Sequence, residues 1–123
     1  MSEQALEKVL GPLEAEVMRT IWKAKRPIAV RDVLETLNRN RKSPLAYTTV
    51  MTIMTRLAEK GILRRAQDGR SYLYEAVARD AAEIAVRSVV RDFGDSAIAH
   101  FVEEARADPK ILRRLQRLMR EEE

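Results

Sequence analysis

Residues 46–60 read AYTTVMTIMTRLAEK and separate by side-chain chemistry when wound as a helix. At about 100° per residue, Val50, Ile53, Met54 and Leu57 fall within about 60° of one direction. The opposite face carries Met51, Thr55, Thr48, Glu59, Thr52, Arg56 and Thr49, in angular order. A helix so divided must lay one side on a core and leave the other free. Gly61 follows as an expected left-handed helix cap. Then come ILRRAQ, Asp68-Gly69 and RSYLYEAV. Asp-Gly between two strand-like runs predicts a hairpin with a basic tip through Arg65 and Arg70.

Upstream, Leu13, Val17, Ile21 and Trp22 recur at helical spacing behind Pro12, predicting a helix from Pro12 to Lys25 that Pro27 ends. Ile28 to Val30 reads as a short extended piece. Val30, Val33, Leu34 and Leu37 predict a second helix to Asn38. The polar, basic stretch NRNRKSP reads as a loop. The order is helix, short strand, helix, helix, two-stranded hairpin. That order defines a winged helix-turn-helix domain, placed at residues 1–78. Trp22 is read as a core residue.

Composition changes after Ala78. Three further amphipathic helices are expected: Arg79 to Phe93, one capped by Asp95 or Ser96, and one opening at Asp108-Pro109. Their apolar positions include Val86, Val90, Phe93, Ile98, Phe101, Val102, Leu112, Leu115, Leu118 and Met119. Three such helices within residues 79–123 cannot bury these faces alone. A second copy of the chain, related by two-fold symmetry, is the simplest cover; packing back on the first domain is the alternative. The fold class is therefore mainly α with a small antiparallel hairpin: an N-terminal winged helix-turn-helix and a C-terminal helical dimerisation region.

The chain has 123 residues, no cysteine, one histidine (His100) and a net charge of +4. Residues 1–78 hold +5 of it and residues 79–123 hold −1. Within 38–70, eight basic residues face two acidic ones. This excess fits a polyanionic partner or a solvated basic surface. Lacking a Gly-rich phosphate loop, a nucleophile–histidine set or ligands at metal spacing, the chain is not read as an enzyme, and neither metal nor cofactor is expected. The opening MSEQALEKVLGPLE lacks the form of a signal peptide, and no window has the apolar length of a membrane span. A cytoplasmic location is expected.

Four threonines within positions 48–55 are a poor choice for helix stability, each costing roughly 0.5 kcal/mol relative to alanine. They suit a surface that enters a DNA groove. The hydroxyl donates or accepts at base edges and phosphates, and the methyl packs on thymine C5-methyl. Arg56 pairs with guanine or clamps a phosphate in this reading. On the wing, Arg65 and Arg70 are expected to contact phosphates along the DNA backbone or enter the minor groove, an ordinary exposed hairpin being the alternative. Lys42 and Ser43, just before the helix, are natural phosphate contacts, and Tyr47 either joins them or packs.

The stretch AYTTVMTIMTRLAEKGILRR with DGRSYLY resembles the penicillinase-repressor family (BlaI/MecI type) through its T-V-x-T-x-x-x-R-L-x-x-K-G spacing. LGPLEAEVMRTIWK and VRDVLETLN fit that family's first two helices, and the likeness runs over about residues 8 to 120. It implies a homodimer on an inverted-repeat operator with TACA/TGTA-type half-sites. It also implies that Thr49, Thr52 and Arg56 face the DNA, with Thr48 and Lys42 in the same contact region. In the antibiotic-resistance branch, a membrane sensor-protease system leads to cleavage at an Asn-Phe pair in the dimerisation domain. The equivalent pair here is His100-Phe101, which keeps only the phenylalanine. Copper sensing through C-terminal cysteines is excluded. The expected function is sequence-specific repression, with a non-specific architectural DNA binder or a protein-interaction module as alternatives.

Overall fold

The computed structural model describes residues 3–121, so the expected domain ends at 1–2 and 122–123 lie outside the described residues. The elements follow in order as α1 (Glu3–Val9), α2 (Pro12–Ala24), β1 (Ile28–Ala29), α3 (Val30–Asn38), α4 (Tyr47–Glu59), β2 (Leu63–Asp68), β3 (Ser71–Ala76), α5 (Ala81–Phe93), α6 (Asp95–Ala107) and α7 (Pro109–Glu121). The chain is mainly helical with a small antiparallel sheet of order β1-β3-β2. Two compact units divide between Ser88 and Val89.

The first unit is built on a single core. Ala15, Val17, Met18 and Ile21 of α2, Val30 and Val33 of α3, and Val50, Met54 and Leu57 of α4 are buried in it together with Ile62, Leu63 and Tyr74. These positions recur at three- and four-residue spacing along each helix, so each presents one stripe to the centre. Ala81 and Ile84, in the first turns of α5, belong to the same core, which carries the unit past the composition change at Ala78. Helix α1 lies outside the elements expected from sequence. Its Leu6, and Leu10 just beyond it, are buried in this core as well.

Local chemistry sets the element ends. Pro12 occupies the first position of α2, and Glu14 accepts a hydrogen bond from the Gly11 N–H at 3.1 Å. Helix α4 ends in a Schellman motif. The Gly61 N–H donates to Ala58 O at 3.0 Å and the Ile62 N–H to Leu57 O at 2.9 Å. Gly61 sits at φ +77°, a conformation that costs a residue with a Cβ roughly 1–2 kcal/mol. Ile62 is thereby turned into the core. The Asp68-Gly69 turn pairs Asp68 with Ser71 and Leu63 with Ala76. Val30 starts α3 instead of extending β1, and β1 pairs Ile28 with Tyr74 and Ala29 with Leu73. Beyond the hairpin, Ile62 O accepts from the N–H groups of Val77 and Ala78, while Trp22 Nε1 donates to Ala78 O at 2.9 Å. The sole tryptophan thus packs its ring on the core and satisfies its polar tip on the segment leading to α5.

In the second unit, Asp108 caps α7 by accepting from the Lys110 N–H at 2.9 Å. The expected cap of α6 at Asp95 or Ser96 is corrected: Gly94, at φ +55°, holds that position with no side-chain cap, because both following residues are already helical. Ala105 is buried, whereas no residue of α7 is fully buried.

Helix α5 opens on a charge-assisted cap. Asp80 accepts from the Glu83 N–H at 2.9 Å. The Glu83 carboxylate accepts from the Arg79 guanidinium at 2.9 Å, from the Arg79 N–H at 3.0 Å and from Arg87 at 3.0 Å. These bonds, those from Arg79 foremost, hold the Glu83 pKa down at about 2, below its ordinary 4.5. A carboxyl whose pKa falls on folding stabilises the native state fully above its unfolded value and loses that contribution as pH drops toward the folded one. Stability is therefore expected to decline on acidification from about 4.5 toward 2 in part through this group. Urea titrations over that range should show a shallower acid limb in Glu83→Gln; an unaltered limb would remove Glu83 from the account.

Candidate nucleic-acid interface

Helix α4 turns Val50, Met54 and Leu57 inward with no accessible surface, and Ile53 packs against the same core. Thr48, Thr49, Thr52 and Arg56 are all exposed on the other side. Thr55 is half-buried, and Met51 is exposed at 39%. The sequence-derived contact set on α4 is therefore brought together on one solvent-facing surface.

The approach to α4 is tied down. Asn38 accepts from the Leu45 N–H at 2.8 Å and donates to Leu45 O at 3.1 Å, closing the intervening loop as a strand partner would. Arg41 bonds Glu16 of α2 at 2.6 Å, anchoring the loop's middle. Lys42, next in sequence, is exposed, as is Ser43. The loop's charges thus divide: Arg41 is spent on the fold and Lys42 faces solvent.

The hairpin divides its charges in the same way. Arg64 forms a two-bonded pair with its cross-strand partner Glu75, at 2.9 and 2.6 Å. A carboxylate this close cancels the cation, so Arg64 adds little to the field that the basic tally implied. Arg65 and Arg70 are exposed. The Arg65 guanidinium lies over the Tyr72 ring, 4.3 Å from its centre.

A cleft lies between α4 and the wing, lined on one side by Tyr47, Met51 and Thr55 and on the other by Arg65, Arg70, Ser71 and Tyr72. Arg31, on the first turn of α3, joins it and lies over the Tyr47 ring at 6.0 Å. Sequence reasoning passed over Arg31 and Tyr72. The available signal was Arg31 at the start of a helix and an aromatic two residues before buried Tyr74, but neither predicts a shared cleft without the hairpin's register. Tyr47 is exposed at 44%, so it belongs to this surface more than to the core.

The expected dimerisation residues are mostly open in the single chain. Val86, Val90 and Phe93 on α5, Ile98 and Phe101 on α6, and Leu118 and Met119 on α7 are exposed, with Phe93 at 66%. Val102, Leu112 and Leu115 are half-buried. His100 is exposed and its Nδ1 lies 3.4 Å from Glu103. Among the described residues, no acidic or histidine group could hold a metal, and no helix is long and apolar enough to cross a membrane.

A helix–helix–hairpin unit with a polar face of α4 turned outward beside a basic hairpin defines a winged-helix protein. A family model described as penicillinase repressor matches residues 10–121. The chain belongs to the penicillinase repressor family. It is 41% identical over 106 residues to proteins named transcriptional regulator BlaI from two strains of Mycobacterium tuberculosis, covering 80% of this chain and 75% of theirs. It also resembles the solution structure of the DNA-binding domain of the repressor BlaI, with TM-score 0.51 and 28% identity over 58% of this chain and 84% of that one. The complex structure of hsRosR-S4 shares the fold across 96% of this chain, with TM-score 0.52 and 12% identity. The protein is accordingly a BlaI-like transcriptional regulator and not an enzyme.

Replacing Asn38 by alanine removes both bonds to Leu45. At about 1 kcal/mol per net hydrogen bond, a loss of roughly 1–2 kcal/mol in unfolding free energy is expected from urea titration, with faster exchange of the Leu45 amide. Unchanged exchange would mean that the clamp does not order the loop.

Proposed function

We propose that the protein is a sequence-specific transcriptional repressor that binds double-stranded DNA as a homodimer on an inverted-repeat operator. The observation that carries this reading is the joint exposure of Thr48, Thr49, Thr52 and Arg56 on α4, opposite a face with no accessible surface. Inserted in a major groove, such a helix offers hydroxyls, methyls and one guanidinium to base edges. Arg65, Arg70 and Lys42 serve the phosphates, positioning the helix without reading sequence. DNA binding is assigned to residues 1–78 and dimerisation to 79–123, with TACA/TGTA-type half-sites as the family resemblance implies.

The dimer follows from solvation. Helix α7 has 13 residues and no fully buried side chain in the single chain. Isolated helices of this length are marginal in water. Phe93, Ile98, Phe101, Leu118 and Met119 are large apolar side chains left 40–66% exposed, the kind of surface that marks an interaction site. A second copy covers it and sets two α4 helices on successive grooves. Loosening that contact leaves each half-site bound alone, so the C-terminal helices are where induction acts. The His100–Phe101 bond lies within α6. Cleavage there by a membrane sensor-protease system requires that helix to unwind locally first.

An operator selected from a random-sequence duplex pool provides the test. Arg56→Ala should lose roughly 1–3 kcal/mol of binding to it if Arg56 reads a base, with a smaller loss on a mismatched duplex, in gel shifts. Equal binding of the wild-type protein to both duplexes would overturn specific readout. Phe101→Glu should shift the chain from dimer to monomer in sedimentation velocity and weaken operator binding; a monomeric wild-type protein would overturn the dimer.

A further inference from the structure

We propose that the cleft between α4 and the wing seats one sugar–phosphate strand of the duplex, and that Arg31, from α3, is a phosphate ligand on its far wall. The inference rests on the DNA-binding reading and deepens it: the strand lies between two cationic walls instead of along the wing alone.

Three guanidiniums, those of Arg31, Arg65 and Arg70, line this cleft, against one lining carboxylate, that of Asp32. Base edges are uncharged, whereas every nucleotide step of the backbone carries a negative charge. A cleft walled by cations on both sides matches the backbone and not the base edges. Two of the three arginines are also pre-positioned. Arg65 lies 4.3 Å from the centre of the Tyr72 ring, and Arg31 lies 6.0 Å from that of Tyr47. A guanidinium held over a ring keeps N–H donors available for phosphate, and the ring restricts the rotamers that binding would otherwise have to freeze. The two contacts come from separate elements, α3 with α4 and β2 with β3, the wing contact being close and the Arg31 contact at the outer limit of cation–π range. Met51, on the α4 side, is partly exposed and apolar, a surface that suits a deoxyribose. Ser71 adds a hydroxyl on the wing side.

The test is the salt dependence of binding by the full chain, measured by fluorescence anisotropy on a duplex of any sequence and on the selected operator. Removing one phosphate-neutralising cation lowers the slope of log affinity against log salt by roughly 0.9. Arg31→Gln, which keeps a stem against Tyr47 but no charge, should lower the slope by about that amount per half-site on both duplexes, leaving the preference for the operator intact. Arg31→Lys should keep the wild-type slope. An Arg31→Gln slope equal to wild type would overturn the proposal, as would a drop confined to the operator, which would make Arg31 a base reader. An acidic polypeptide as the true occupant would leave the DNA slope unmoved in both variants. Sequence preference of the wild-type chain is read separately, so failure of specific repression and failure of the clamp give different results.

Discussion

Val50, Met54 and Leu57 leave no accessible surface on the inner side of α4. That packing fixes the helix's rotation about its own axis. At 100° per residue, a turn of about 100° that exposed Val50 would swing Thr49 into the core in one sense and Thr55 toward it in the other, and an unpaired hydroxyl there costs on the order of 1–3 kcal/mol. The outer face is therefore determined by the inner one. The Schellman motif at Gly61 then turns Ile62 into the same core and launches the hairpin directly from the helix end. One set of packed side chains thus places α4 and the wing together.

Electrostatics are sorted rather than summed. Arg41 and Arg64 are bound to Glu16 and Glu75 and hold the fold. Arg79 and Arg87 are spent on Glu83 at the start of α5. Lys42, Arg56, Arg65 and Arg70 stay exposed on the side of α4 and the wing. A net charge of +4 understates how strongly one face is biased, because many carboxylates are committed elsewhere.

Most of this fold was legible in residue spacing. The 3.6-residue stripes of α2, α3 and α4 and the Asp-Gly turn are strong local signals, and each of those elements appears within a residue or two of its expected bounds. Helix α1 was missed although Ala5, Leu6, Val9 and Leu10 repeat at helical spacing, because Gly11-Pro12 drew the first helix boundary to itself. The α6 cap was misplaced because Asp and Ser are strong cap formers, yet the positive φ of Gly94 already makes the turn. The exposed face of α4 was readable from one helix. The Arg31–Tyr47 and Arg65–Tyr72 contacts were not, since both depend on how α3 and β3 approach their neighbours. Spacing along one segment carries no information on that approach.

The inner and outer faces of α4 share no side chain. Substitutions at exposed positions away from special features usually change stability by less than about 0.5 kcal/mol. Changes at Thr48, Thr49, Met51, Thr52 and Arg56 therefore cost the fold little, whereas changes at Val50, Met54 and Leu57 strike its core. The outward chemistry of this helix can thus be rewritten one residue at a time without compensating changes in the interior, so surface and stability are separately adjustable.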